Sequence, residues 1–159
     1  MMRCSVYRQR YGHARPSILA RPKLTSHPVD VGRRAEAAIL AQLVQRGYRV
    51  LLPFGVNQRY DLVLESDGKF LKAQCKTGRL RRGAIEFRVV STQSNMSRTR
   101  SQGYADQVDL FMVYCPELKK TYVVPVADVP WARMYLRVDP PRNRQGKRVR
   151  WAKDYELPA

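Results

Sequence analysis

Residues that hold metal ions or cross-link small proteins are scarce in this chain. Its 159 residues include three cysteines, Cys4, Cys75 and Cys115, and two histidines, His13 and His27. No two cysteines have the C-x-x-C spacing of a zinc site, and an odd number at these intervals supports no disulfide framework. A chain of this length buries roughly 70% of the surface that its unfolded form exposes, so its core needs neither a structural metal nor disulfides. We predict one domain with free thiols, as expected in a reducing cytosol.

Long apolar runs are also missing, and acidic residues are few. No stretch approaches the roughly 20 apolar residues of a membrane span, and the N-terminus has no apolar region of a secretory signal, which predicts a cytoplasmic protein with no membrane partner. The chain has 30 Lys+Arg but only 13 Asp+Glu, a net charge of +17. Such an excess of positive charge favours a polyanionic partner, most often nucleic acid. The alternative is a generally basic surface, as in small ribosome-associated proteins.

Residues 1–28 differ in composition from the rest of the chain. They contain no acidic residue, and their apolar residues follow neither a helical nor a strand period. The basic residues of this segment are Arg3, Arg8, Arg10, Arg15, Arg21 and Lys23. We predict a flexible basic arm, which either contacts a DNA backbone or is a disordered tail without a role. The folded domain then spans residues 29–159.

The first regular element predicted is a helix over residues 30–46. Asp30 is a candidate N-cap, and Gly47 is a candidate for the residue that ends the helix. The predicted apolar stripe consists of Ile39, Leu40, Leu43 and Val44. Glu36 precedes Ile39 by three residues and therefore lies on the same inward face. A carboxylate on the buried edge of a helix needs a functional or structural reason.

Strands are predicted over most of the remaining chain. Asp67 and Gly68 predict a type I′ turn that pairs residues 62–66 with residues 69–77, and alternation along the second strand places Gln74 and Lys76 on a polar face. The other predicted strands are residues 49–54, 84–90, 108–115, 121–126 and 134–138. The polar segment that begins at residue 91 predicts a loop, and so does the basic segment after residue 138.

Four side chains of these elements could meet at one end of the sheet. Hydrolysis of a phosphodiester requires a hard cation with oxygen ligands, an activated water and a charge that stabilises the transition state. Asp61 would be the principal Mg²⁺ ligand, and the Gln74 side-chain oxygen and the Cys75 carbonyl would complete the set. Lys76 would orient or deprotonate the water or stabilise developing charge, and Glu36 would hold a water from the helix side.

Each of these residues also has a purely structural interpretation. Asp61 could cap the turn that leads into its strand, and Lys76 could be a solvated strand end or a phosphate contact. Gln74 could be an ordinary amide on a polar sheet face. Glu36 could pair with an arginine such as Arg33 or Arg59.

The motifs around these residues resemble those of the PD-(D/E)xK nuclease superfamily. The segments are GRRAE with Glu36, QRYDLVLE with Asp61 and LKAQCKTG with Gln74, Cys75 and Lys76. The usual D…(D/E)-x-K is D…Q-x-K here, the variant found in a homing endonuclease of group I introns. The run YCPELKKTYVVPV and the C-terminal region that follows look like small proteins grouped with that enzyme. The resemblance extends from about residue 28 to the C-terminus.

The resemblance implies a fold and an activity. The fold is α/β, with a restriction-endonuclease-like core of the αβββαβ type and a mixed, largely antiparallel sheet flanked by helices. The activity is cleavage of double-stranded DNA with Mg²⁺, or Mn²⁺, by a homodimer or homotetramer. The chain departs from the motif at Tyr60, where the motif has proline, and at Gln74, which provides one negative charge fewer for the metal.

Arginines that follow the motif are candidates for DNA contacts. Arg79, Arg81 and Arg82 come directly after the strand that carries Lys76, and guanidinium groups suit both phosphate and guanine. Arg98 and Arg100, and the basic residues of the segment 142–150, are candidate accessory contacts or simply a soluble basic surface.

The sequence therefore favours a Mg²⁺-dependent DNA endonuclease of the homing type. A structure-selective nuclease resembling the Holliday junction resolvases is a second hypothesis. A catalytically silent, basic module that binds nucleic acid is the third.

Overall fold

A computed structural model describes residue 23 and residues 25–55, 58–95, 98–104, 106–130, 132–140 and 148–158; of residues 92–102, only the backbone is described. The predicted N-terminal arm lies almost entirely outside the described residues, as does most of the basic segment at 142–150. None of the described helices is both long and apolar enough to cross a membrane.

An α-helix, α1, spans Pro28–Gln45. It starts two residues before the predicted Asp30, because Pro28 has the backbone angle of a first helical residue and lacks the N–H group that would go unpaired there. Asp30 lies in the first turn and is not the N-cap, so that prediction is wrong. The C-terminal prediction is confirmed: Gly47 has φ +80°, and the Tyr48 and Gly47 N–H groups bond to the last turn of the helix in a Schellman motif.

In the part of the chain that the structure describes, ten strands accompany this helix. They are β1 Arg49–Leu51, β2 Leu62–Ser66, β3 Lys69–Thr77, β4 Arg79–Arg81, β5 Ala84–Arg88, β6 Ser91–Asn95, β7 Arg98–Gln102, β8 Leu110–Cys115, β9 Lys120–Pro125 and β10 Arg133–Arg137. The described residues also form 3-10 helices at Val126–Asp128 and Ala152–Tyr155.

The central sheet has the order β1-β2-β3-β8-β9. All its neighbours are antiparallel except β3 and β8, which run parallel. The predicted turn between β2 and β3 is confirmed, since Asp67 and Gly68 have φ +50° and +73°, as a type I′ turn requires. The hairpin of β8 and β9 is confirmed as well.

Two smaller sheets accompany the central sheet, and their strands β4 to β7 lie between β3 and β8 in sequence, whereas β10 follows β9. One has the order β10-β5-β4, and the other pairs β6 with β7. The loop predicted from residue 91 is wrong, because residues 91–95 pair with residues 98–102 as the antiparallel strands β6 and β7, which satisfies backbone groups. The implied helix before the parallel strand is not found among the described residues, where these strands occupy its place.

The central sheet has a packed layer on each face. On one face, Ile39 and Leu43 of α1 pack with Met112 of β8. On the other, Ile85 and Leu136 of the three-stranded sheet share a cluster with Phe111, Val113 and Val124. Val44, predicted to belong to the apolar stripe, is 60% exposed, while Ala35 is buried instead. The α/β class with a mixed, largely antiparallel sheet is confirmed.

Candidate active site

The register of the first strands places Asp61 beside the middle of β3. Asp61 immediately precedes β2, and its N–H group donates to the Ala73 carbonyl at 2.9 Å. Ala73 is followed by Gln74, Cys75 and Lys76. The tight turn between β2 and β3 thus brings together residues that are 13 positions or more apart, as the motif requires.

The Asp61 carboxylate is bound by two neighbours on β3. Its Oδ2 atom accepts a hydrogen bond from the Cys75 N–H at 2.6 Å and another from the Gln74 side-chain amide. The same amide nitrogen lies 3.4 Å from the Cys75 carbonyl oxygen. The NH₂ group of Gln74 therefore lies between two oxygen atoms that were predicted to be metal ligands.

This donor set fits a hard divalent cation. Rotating the terminal amide of Gln74 by half a turn replaces its NH₂ group with its carbonyl oxygen. A carboxylate, an amide oxygen and a backbone carbonyl would then converge, and these are the ligand types of Mg²⁺. Within the described part of the chain, no three His, Cys, Asp or Glu side chains cluster as a metal site would require. Neutral oxygen atoms must therefore contribute to any metal site at Asp61.

Burial raises the pKa of both carboxyl groups at the site. For Asp61 the main cause is desolvation, and the Cys75 N–H, Lys76 and Gln74 oppose it. For Glu36 desolvation is again the main cause, followed by the negative charge of Asp61, while Arg33 lowers the pKa. Both groups resist ionisation, so a cation between them would relieve an unfavourable electrostatic interaction.

Cys75 contributes its backbone to the site and directs its side chain elsewhere. Its thiol packs against the cluster formed by α1 and the central sheet. Burial, Asp61 and Glu36 all raise the pKa of this thiol, so it stays protonated at neutral pH. The thiol is therefore a poor metal ligand, whereas the carbonyl faces Gln74.

Glu36 and Asp61 line the same cleft. Its other lining residues are Leu52, Pro53, Gly55, Gln58 and Tyr60. Among the described residues Glu36 has no ion pair within 4 Å, and Arg33 acts on it only through its charge. The α1 carboxylate predicted to lie on the buried helix edge therefore does face the residues of the motif.

Lys76 is held by a residue that the sequence reasoning missed. Its Nζ atom donates to the Tyr104 hydroxyl at 2.9 Å and lies 4.6 Å from the centre of the ring. Tyr104 is only 5% exposed, and Phe111 packs edge-on against it at 5.4 Å. A single tyrosine in a polar segment gives no sequence signal, because its contact with Lys76 depends on where the β6–β7 hairpin returns the chain.

Arg59 approaches the same tyrosine. Its guanidinium lies 4.4 Å from the centre of the Tyr104 ring and donates to Ser91, Gln107 and the Gly103 carbonyl. Pairing of Glu36 with Arg59, one of the structural alternatives, is therefore wrong, because the donors of Arg59 bind the segment around residues 91–107. Arg59 therefore fastens the loop that precedes Asp61 to the segment that carries Tyr104.

The predicted DNA-contacting arginines lie on and beside β4. Arg79 and Arg81 are exposed on this strand, and Arg82 is at the tip of a second type I′ turn, with φ +50° followed by Gly83 at +72°. Arg79 lies 3.8 Å from Glu117. The side chains of Arg98 and Arg100 are outside the described part of β7, and so are Arg142, Arg144 and Lys147 of the basic segment.

Comparisons with known proteins identify the family of the chain. The model of the PD-(D/E)XK endonuclease family matches residues 26–158. One similar solved structure is that of the bacterial homing endonuclease I-Ssp6803I, with a TM-score of 0.67, 25% sequence identity, and coverage of 83% of this chain and 89% of that chain. A comparison with proteins of curated function found no match. The chain belongs to the PD-(D/E)XK endonuclease family.

Proposed function

We propose that this nuclease is a Mg²⁺-dependent, site-specific DNA endonuclease of the homing type. The observation that carries the proposal is the juxtaposition of Asp61, Gln74 and the Cys75 carbonyl at one point of the central sheet, with Lys76 next along the strand. Carboxylate, amide oxygen and lysine are the groups that phosphodiester hydrolysis needs. The homing endonuclease of similar structure supports site specificity.

The metal would be held by Asp61, the Gln74 side-chain oxygen and the Cys75 carbonyl. When bound, it would supply positive charge to the phosphodiester and promote ionisation of the attacking water. Mg²⁺ is the ion we propose, with Mn²⁺ as a substitute of the same ligand preference. Glu36, on the other side of the cleft, would accept a hydrogen bond from the water and orient it.

Lys76 would provide the positive charge of the protein itself. Its ammonium has three N–H donors, of which one is directed to Tyr104. The remaining donors are available to a phosphate oxygen or to the attacking water. Because Tyr104 is buried and packed against Phe111, it fixes the position of the Lys76 Nζ atom before DNA binds.

Double-stranded DNA is the proposed substrate, consistent with the net charge of +17. Each copy of the chain contains one such site, so cleavage of both strands requires two copies, as a homodimer or within a homotetramer. A junction-specific nuclease and a silent binding module remain the competing hypotheses, and cleavage assays separate them.

The test compares the purified protein with two site variants. Asp61→Asn keeps the shape and one acceptor, and Lys76→Met keeps most of the side-chain stem. The substrates are supercoiled plasmid, a pooled library of random duplexes and a four-way junction, each with Mg²⁺, Mn²⁺ or EDTA. Lys69→Met, at the opposite end of β3, is the matched control for the loss of one positive charge.

We expect metal-dependent cleavage of duplexes that contain the target. Both site variants should abolish it while retaining most DNA binding, and Lys69→Met should cleave normally. Preferential cleavage of the junction would support the structure-selective nuclease instead. Binding without cleavage of any substrate, unchanged by EDTA and by Asp61→Asn, would establish the silent module and refute the proposal.

A further inference from the structure

The sheet formed by β4, β5 and β10 has one buried face and one outward face. Leu80, Ile85, Phe87, Met134 and Leu136 point inward to the core that the sheet shares with the central sheet. Alternation therefore directs the intervening residues outward. The register arranges them in three cross-strand rows: Arg88 with Arg133, then Arg79 with Glu86 and Tyr135, then Arg81 with Ala84 and Arg137.

Positive charge dominates this outward face, because its three rows contain five arginines and one glutamate. Glu86 is already paired with Arg133. Tyr135 is 51% exposed. Glu117 borders the face beside Arg79, and Arg137 donates to the Arg82 and Asp139 carbonyls, so these two arginines are partly engaged. Arg81 and Arg88 are exposed.

One cross-strand pair on this face consists of two arginines. Arg88 and Arg133 are direct partners in the β5–β10 ladder, and Arg133 also forms an ion pair with the diagonal Glu86. Like charges directly opposite each other are unfavourable in a sheet, so Arg88 is the member of this row that gains most from an anionic partner.

The shape of the face suits a duplex. Strands are roughly 4.8 Å apart, so the three strand axes span roughly 10 Å, and the arginines spread over this width can contact a phosphate backbone at several points. Arginine and tyrosine bind phosphates, and arginine also reads guanine. Ala84, between Arg81 and Arg137, is buried, so in the third row only the two arginines are open to a nucleic-acid backbone.

The face is also joined rigidly to the candidate active site. Arg79 follows Lys76 by three residues, which is roughly 10 Å of extended chain. Gly78, between them, packs against Ile85 and Val113 so closely that it leaves no room for a side chain. The three-stranded sheet packs on the face of the central sheet that carries Phe111, the cross-strand partner of Gln74.

We propose that the outward face of the β4–β5–β10 sheet is the principal docking surface for double-stranded DNA. The proposal rests on the proposed nuclease function and extends it to Arg88, Arg133, Tyr135 and Arg137, none of which the motif indicates. The face would hold the duplex, and β4, which begins three residues after Lys76, connects it to the candidate active site.

The test uses two double variants that each remove two positive charges. Arg81→Gln with Arg88→Gln alters the face, whereas Arg46→Gln with Lys69→Gln alters the end of α1 and the β2–β3 turn. Affinity for a labelled 30-base-pair duplex is measured in EDTA at several salt concentrations. We expect the face variant to bind at least 10-fold more weakly, with a salt slope reduced by about 1.8, and the control variant to bind within about twofold of the wild type.

A single substitution separates docking from folding. Arg88→Glu places opposite charges across the β5–β10 ladder, so it should raise the melting temperature while it weakens DNA binding. Tyr135→Ala should weaken binding and leave the salt slope unchanged, because tyrosine carries no charge. A face variant that binds like the wild type, or equal losses in the face and control variants, would overturn the proposal.

Failure of this proposal is distinguishable from failure of the nuclease function. If the wild type cleaves DNA with Mg²⁺ but the face variants bind and cleave normally, the docking surface is wrong and the nuclease stands. If binding depends on the face but no substrate is cleaved, the surface stands and the nuclease is wrong. Tighter binding of a matched RNA duplex than of DNA would overturn the assignment of the partner.

Discussion

Lys76 and Tyr104 form a hydrogen bond that connects the D…Q-x-K motif to a segment far from it in sequence. The Lys76 Nζ atom and the Tyr104 hydroxyl oxygen are 2.9 Å apart, and the ring lies within cation–π distance of the ammonium. Arg59 contacts the same ring from the loop before Asp61. Tyr104 therefore joins the two parts of the motif through a buried aromatic residue.

Removing only the hydroxyl group tests this relationship. Tyr104→Phe keeps the ring, its contact with Phe111 and its packing, but removes the acceptor that positions Lys76. We expect kcat to fall by about 10-fold to 100-fold, as for other residues that orient a catalytic group, while KM and DNA affinity stay nearly unchanged. Single-turnover cleavage and equilibrium binding measure the two quantities separately.

A structural role alone would give a different pattern. Phe111→Leu removes the edge contact with Tyr104 but leaves its hydroxyl group, so this variant should lose stability while keeping most of its kcat. If Tyr104→Phe cleaves as fast as the wild type, Tyr104 does not position Lys76. If the loss of kcat in Tyr104→Phe is explained by the fraction of unfolded protein at the assay temperature, the tyrosine acts through folding only.

A second prediction concerns the electrostatic cost of Asp61. Its raised pKa means that the folded state binds a proton more tightly than the unfolded chain, so the contribution of Asp61 to stability decreases as pH rises from the ordinary carboxyl range through the raised value. Asp61→Asn removes this cost and keeps an acceptor for the Cys75 N–H. We expect the metal-free variant to melt a few degrees higher than the wild type at pH 7 and to be inactive.

The pH dependence is the control for that prediction. Because the pKa values of Asp61 and Glu36 are raised, both carboxyl groups become protonated in the folded protein as the pH falls through the ordinary carboxyl range, so the difference in melting temperature between wild type and Asp61→Asn should shrink. Mg²⁺ should raise the melting temperature of the wild type more than that of the variant. A variant that is less stable than the wild type at pH 7 would show that Asp61 is a net structural support.

Local sequence signals predicted those features of the fold, such as helix ends and tight turns, that depend on a few neighbouring residues. The end of α1 at Gly47 and the turn at Asp67 and Gly68 depend on backbone angles that glycine and aspartate adopt within a few residues. The parallel pairing of β3 with β8 depends on a crossover of more than 30 residues, and no local pattern encodes it. Residues 91–102 looked like a loop because polar side chains hide the pairing of the backbone.

In the candidate site, too, local sequence signals predict some features and long-range contacts determine the others. Spacing and residue type identified Asp61, Gln74 and Lys76, because β2, a two-residue turn and β3 fix their relation. The orientation of the Gln74 amide toward Asp61 and the contact of Lys76 with Tyr104 are tertiary features. Likewise, the arginines of β5 and β10 form one surface only after the two strands pair, and they are more than 40 residues apart in the chain.

A third prediction addresses the amide that replaces the usual carboxylate. Gln74→Glu adds a negative charge next to Asp61 and removes the amide N–H that Asp61 accepts. We expect the metal-free variant to be less stable than the wild type at pH 7, and to regain stability when Mg²⁺ is added or the pH is lowered to 5. Its affinity for Mg²⁺ should be higher, because the site then has one more charged oxygen ligand.

Calorimetric titration of Mg²⁺ and thermal unfolding with and without the metal measure these effects. Gln74→Leu is the matched control, since it also loses the amide but adds no charge, and it should gain no affinity for Mg²⁺. Equal affinity of the wild type and Gln74→Glu for Mg²⁺ would mean that residue 74 does not contact the metal.

The last prediction compares two glycines that differ in their surroundings. A Cβ atom at Gly78 would lie 2.6 Å from Ile85 Cγ2 and 3.1 Å from Val113 Cγ1, whereas one at Gly32, within α1, would have nothing within 4 Å. Gly78→Ala should reduce the free energy of unfolding by about 1–3 kcal/mol through overpacking. Gly32→Ala should increase it by about 0.5–1 kcal/mol, because alanine favours the helix.

These two variants also report on how the DNA-docking sheet is joined to the site. Gly78 lies between Lys76 and Arg79, so a shift of β4 away from β3 in Gly78→Ala should lower kcat under conditions where the variant is still fully folded. Gly32→Ala should cleave at the wild-type rate. Urea unfolding and single-turnover cleavage at 25 °C measure both effects. If Gly78→Ala is destabilised but cleaves normally, the close packing at this glycine supports the core and has no part in aligning the sheet with the active site.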